Sequence, residues 1–172
     1  MASQNKPEFQ PMLAPGRHHM SLAALEALCV TPYATSSTRP GLLAEFAALI
    51  RHLEAGIGVC DVWVDGSFIT EKDDPDDIDL TITVPSEVLE RIAATDQAVV
   101  QQLFAMVGDG LFSPGLHIFV LAVRPVGHPD HPALELAVRD WAQWWSVTRE
   151  AWVKGFAVIR LGESDVALRL FP

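Results

Sequence analysis

The chain has 172 residues, 49% of them apolar, and a net charge of −10 from 22 acidic and 12 basic residues. That length suits one domain built on one core, and no apolar run is long enough to span a bilayer. The acidic balance and the absence of a Lys/Arg cluster disfavour a long nucleic-acid partner, which would need a basic face. A small anion such as a nucleotide stays open, because a bound metal ion inverts the local field.

Residues 1–20 read as an irregular arm, extended by its prolines. No charged-then-apolar leader opens it, so the expected compartment is the cytoplasm, with no membrane partner. Residues 21–28 form a short helix with Ser21 as N-cap. A polar, Pro-bearing connector covers 31–40. Leu42, Leu43, Phe46, Leu49, Ile50 and Leu53 recur at helical spacing, which predicts an amphipathic helix over 40–55 ended by Gly56 and Gly58. Residues 59–65 and 78–84 are strands; in the second, Ile78, Leu80, Ile82 and Val84 alternate with Asp79, Thr81 and Thr83. One helix is predicted from Pro85-Ser86 to about 107. Residues 116–123 are apolar almost throughout, which points to a central strand. Residues 132–148 form a helix with Trp141, Trp144 and Trp145 on its apolar side. Short strands at 156–161 and 166–171 close the chain, joined as a hairpin at 162–165. The class is α/β, or α+β, with a mixed sheet and flanking helices in a single domain. Cys29 and Cys60 lie among apolar residues with no Cys-x-x-Cys pair, and read as buried reduced thiols.

The chemistry concentrates in two neighbouring segments. Val62-Trp63-Val64-Asp65 runs into a Gly66-Ser67 turn, and nine residues later comes Asp77-Ile78-Asp79. Strand residues two apart share a face, so Asp77 and Asp79 project together. Convergent carboxylates repel unless a cation lies between them, and hard oxygen ligands suit Mg²⁺ or Mn²⁺. The Gly66-Ser67 turn offers N–H groups and a hydroxyl to phosphate oxygens. Lys72 has two open roles: reaching a phosphate, or neutralising Glu71, Asp73 and Asp74. Asp73, Asp74 and Asp76 read as solvated loop residues.

Gly-Ser, this spacer and Asp-x-Asp at a strand start resemble the signature of the polymerase-β-like nucleotidyltransferase superfamily. The stretch 65–79, Pro15-Gly16-Arg17-His18, the His-Pro pairs at 128–132 and the ending 154–161 look like a small bacterial and phage family within it. The resemblance implies Asp77 and Asp79 as catalytic metal ligands for Mg²⁺ and Gly66 and Ser67 as triphosphate binders. It implies transfer of a nucleoside monophosphate from an NTP to an acceptor, preferably a protein or small molecule given the charge. The superfamily adds a third acid on a later strand. Here the matching position is His117, a general base or Mn²⁺ ligand on one reading and a structural residue on another. Glu135 lies in a helical stretch, and Glu163 and Asp165 in a turn. The missing acid supports a second function: a nucleotide- or partner-binding module without turnover, of the kind found in toxin–antitoxin or phage-defence pairs. The tryptophans are a core stripe, with a base-stacking platform as the alternative.

Overall fold

The computed structural model describes residues 7–147 and 153–170. Twelve elements follow in chain order: β1 (Gly16–His19), α1 (Leu22–Cys29), α2 (Arg39–Gly56), β2 (Cys60–Asp65), β3 (Ile78–Pro85), α3 (Ser86–Thr95), α4 (Gln97–Ala105), β4 (Gly108–Asp109), β5 (Leu116–Val123), α5 (His131–Trp145), β6 (Gly155–Leu161) and α6 (Val166–Leu170). The strands make one six-stranded sheet in the order β1-β6-β2-β3-β5-β4. β2 is antiparallel to both β3 and β6, while β3 and β5 run parallel, as do β1 and β6. The C-terminal end of β2 therefore meets the N-terminal ends of β3, β5, β6 and β1 at one end of the sheet. The mixed α/β class and the sheet with flanking helices are as the sequence predicts.

One sheet face carries Val62, Val64, Leu80, Ile82 and Ile118, buried in the same core cluster as Phe46, Leu49, Ile50 and Leu53 of α2. The opposite face carries Asp79, Thr81 and Thr83. It is covered as well, against the half-exposed reading that alternation invites: Thr81 and Thr83 are both 0% exposed. Their hydroxyls are satisfied there, Thr81 by the Trp141 indole N–H and Thr83 by the Asp61 carbonyl. That satisfaction lets a polar stripe lie under a helix.

Ser21 caps α1 by accepting from the Ala24 N–H at 3.1 Å, as expected. Elsewhere the elements differ from the sequence reading in identifiable ways. Residues 16–19, expected to be irregular, pair with β6 as an edge strand. Their Gly-Arg-His-His sequence has no apolar alternation, so backbone pairing alone makes the strand. The helix predicted over 85–107 breaks at Asp96, whose side chain caps α4 by accepting from the Ala98 N–H. β5 is not central: it lies next to the edge, and β4 covers only Ile118 and His117. Residues 166–170 are helix and not strand. Arg169 pairs with Asp165 one turn back and with Glu87 of α3, which anchors the turn. Residue 171 and Trp152 lie outside the described residues. Cys29 and Cys60 are buried free thiols, each pushed up to about 12 by burial. Among the described residues no helix is long and apolar enough to cross a membrane.

Arg39, the first residue of α2, organises the loop that separates the Gly66-Ser67 turn from β3. Its side chain is 0% exposed. It donates to the carbonyls of Cys29, Phe68 and Thr70 at 2.7 Å, Lys72 at 2.6 Å and Asp73 at 3.2 Å. Its guanidinium also lies 4.0 Å from the Tyr33 ring centroid. Asp74 adds a second tie, accepting from the Ser36 hydroxyl and from the Ser37 N–H and hydroxyl. Glu45, further along α2, accepts from the Ser113 hydroxyl at 2.6 Å and the Gly115 N–H at 2.8 Å. One helix thus fixes the loops that precede β3 and β5. Arg39→Met removes the donors and leaves several inward-facing carbonyls without them; urea unfolding is expected to show a loss of about 3 kcal/mol or more. A loss within about 0.5 kcal/mol, typical of a surface change, would contradict the clasp.

Candidate functional site

Strand register gathers the site. Asp65 of β2 is paired with Asp79 of β3, Asp79 with His117 of β5, and His117 with Asp109 of β4. These residues form one row across the end of the sheet. His117 bridges two acids, its Nδ1 3.1 Å from Asp79 Oδ1 and its Nε2 3.2 Å from Asp109 Oδ1. At the other end of the row, Lys154 Nζ lies 2.7 Å from both carboxylate oxygens of Asp65. That pair is buried, with Asp65 5% and Lys154 9% exposed. Burial pushes the Asp65 carboxyl up to about 7; the Lys154 ammonium pulls against it, while the Asp79 charge adds to the push.

The Gly66-Ser67 turn is pressed against this row. Gly66 adopts φ 81°, open to glycine at little cost, and a Cβ there would run into the Asp79 carboxylate. Ser67 starts a 3-10 turn over Ser67–Ile69 and is half-buried. Asp77 immediately precedes β3 and is half-buried. Strand alternation assigns it to the side of Asp79, and the next N–H, that of Ile78, is bonded to the Gly115 carbonyl at 2.9 Å. The turn, Asp79 and His117 therefore come together, with Asp77 one residue outside the strand. Lys72 does not join them: its Nζ is 2.7 Å from Asp76 Oδ2, an acid other than the Glu71, Asp73 and Asp74 expected as its partners.

Four residues of the site and its support escape the sequence reading. Asp109 arrives on a two-residue strand with no periodic signal. Lys154 and Asp65 stand 89 positions apart and meet only through the β2–β6 pairing. Arg39 sits in a segment legible only as a connector. An open cleft of about 560 Å³ lies nearby, lined by Gln10, Pro11, Leu13, Ala14, Pro15 and Val153. It holds none of the acids, and follows the N-terminal arm where that arm bonds to Ile69, Glu71 and Gly155.

Among the described residues, no group of three or more His, Cys, Asp or Glu is arranged to hold a metal ion. A closed, all-protein cage is therefore not what these residues offer. Asp79, pressed against Gly66, and Asp77, two residues before it, are the carboxylates that could meet a hard cation carried in by phosphates, since Mg²⁺ takes one or two carboxylates and completes its shell from substrate and water. His117 is a poor ligand for Mg²⁺.

The Lys154–Asp65 pair has a measurable signature. Lys154→Met leaves a buried carboxylate uncompensated and should cost about 3–5 kcal/mol in chemical denaturation, whereas adding Asp65→Asn should recover much of that loss. A double-variant cost equal to the sum of the two single-variant costs would show that the pair is not coupled.

No curated protein and no solved structure matches the chain. A family model does match, over residues 7–160, most of the chain. The chain belongs to the Family of unknown function (DUF6932).

Proposed function

We propose that the protein is a nucleotidyltransferase that moves a nucleoside monophosphate from an NTP to an acceptor hydroxyl, with Mg²⁺ or Mn²⁺ at Asp77 and Asp79. The observation that carries this reading is the contact between the Gly66-Ser67 turn and the Asp79 carboxylate, which gives phosphate donors and a metal-binding acid a common address. Support also comes from the strand arrangement. The acid pair opens a strand antiparallel to the one that ends in the turn, with a third strand beside it in register.

The reaction forms a bond from the acceptor oxygen to the α-phosphorus. The bond from that phosphorus to the bridging oxygen breaks, pyrophosphate leaves with the electron pair, and the acceptor proton passes to solvent. When bound, the divalent cation supplies charge neutralisation at the phosphoryl group and lowers the proton affinity of the acceptor hydroxyl. The chain's own residues do the rest. Ser67 holds the β- and γ-phosphates by N–H and hydroxyl donation, and Gly66, whose own N–H is turned to the Asp65 carboxylate, lets them approach the backbone closely. His117 fixes the Asp79 rotamer by its hydrogen bond. Lys154 balances Asp65, which reduces the repulsion a polyphosphate meets at an acidic row. With a net charge of −10, a protein or small-molecule acceptor is favoured over DNA.

A second reading, nucleotide binding without turnover, is favoured by one observation: the third position of the row is His117 and not an acid. Calorimetric titration with Mg-ATP and transfer of α-labelled nucleotide to cell-lysate acceptors separate the two. The expected result is binding and transfer by the wild type, each reduced about a hundredfold or more in Asp77→Asn and Asp79→Asn. Binding without transfer supports the second reading. Absence of metal-dependent nucleotide affinity in the wild type would contradict both.

A further inference from the structure

A continuous run of aromatic rings leads away from His117. Centroids lie 4.5 Å apart for His117 and Phe119, 4.9 Å for Phe119 and Trp141, and 5.3 Å for Trp141 and Trp144. Trp141 is locked in place, its indole N–H donating to Thr81 Oγ1 at 3.0 Å. Trp145 is the core member of the group, 3% exposed and packed edge-on against Phe156. Trp144 is different: it is 65% exposed, although it is a large aromatic with an anchored neighbour. Trp usually keeps most of its surface buried.

Topology states where Trp144 stands. β2 is antiparallel to both β3 and β6, so β6 runs parallel to β3 and to β5. The chain leaves β5 at its C-terminal end and must return to the N-terminal end of β6, and α5 makes that crossing. The last turn of α5 therefore arrives at the sheet end that carries Asp65, Asp79 and His117. Trp144 lies in that turn. Its ring contact leads through Trp141 to Phe119 of β5, whereas Trp145 contacts Phe156 of β6. The phosphate-binding turn follows β2, on the other side of Asp79. A nucleotide with its phosphates at Gly66-Ser67 and its sugar directed across Asp79 brings its base to the β5 side, where the exposed indole stands.

We propose that Trp144 is a stacking plate for the nucleobase of the bound nucleotide. This rests on the nucleotide reading above and adds the seat of the base. The plate holds any planar heteroaromatic ring, because every base has a π-face and stacking discriminates little among them. Phe119 and Trp141 are positioning residues that hold the plate.

The test titrates wild type, Trp144→Ala and Trp144→Phe with two probes, Mg-ATP and Mg-tripolyphosphate, and follows thermal unfolding in parallel. Trp144→Ala is expected to weaken Mg-ATP about tenfold, with tripolyphosphate affinity and Tm unchanged, and Trp144→Phe to retain most ATP affinity. Equal ATP affinity in wild type and Trp144→Ala overturns the stacking role and leaves nucleotide binding intact. An equal loss for both probes overturns it too, since that outcome assigns Trp144 to the fold. Binding of neither probe by the wild type overturns this inference together with the function it rests on.

Discussion

Like charges brought together at one end of a sheet have to be compensated, and this need shapes the whole site. Register places Asp65, Asp79 and Asp109 in a single row, and two side chains compensate them, one at the end of the row and one within it. Lys154 takes both oxygens of the most buried acid, and His117 stands between the other two. The arrangement leaves Asp79 with one oxygen turned to His117 and its carboxylate pressed on Gly66. A carboxylate fixed in that way is preorganised, and preorganised charge is what a phosphoryl-transfer site requires.

Helix α2 turns this row into a site by holding the loops around it. Arg39 draws five carbonyls, four of them from residues 68–73, onto one guanidinium. Glu45 holds the turn before β5 through Ser113 and Gly115. The planar fork of Arg suits this role, since its several N–H donors are fixed relative to one another and remain charged. A loop fastened through its backbone leaves its side chains available for function. The acidic residues of the segment divide accordingly: Asp74 is spent on Ser36 and Ser37, and Asp76 on Lys72.

Much of the frame was legible because hydrophobic period is a local signal. Apolar alternation marks β3, runs of apolar, β-branched and aromatic residues mark β2, β5 and β6, and helical spacing marks α2 and α5. His117 was placed beside Asp79 by the resemblance, which sets a third residue on a later strand next to the pair, and the strand register pairs the two. What stayed hidden depends on partners far away in the chain. Nothing local in Gly16-Arg17-His18-His19 announces a strand, and its pairing with β6 makes it one. Lys154 gains meaning only from Asp65, and Arg39 mainly from carbonyls 29 to 34 residues ahead. The opposite error occurred at 166–170, where short apolar spacing suits strand and helix alike and the Arg169 ion pairs decide.

On the proposed reading, Asp77, Asp79 and the Gly66-Ser67 turn together hold a cation-bridged polyphosphate. A crystal soaked with Mn²⁺ and a non-hydrolysable ATP analogue tests it most directly, because the anomalous signal locates the ion independently of the nucleotide. The expected result is an Mn²⁺ peak within bonding distance of both aspartates, with phosphate oxygens on the N–H and hydroxyl of Ser67 against the Gly66 backbone. An ion or triphosphate seated elsewhere, or aspartates turned to different sides of β3, would contradict it.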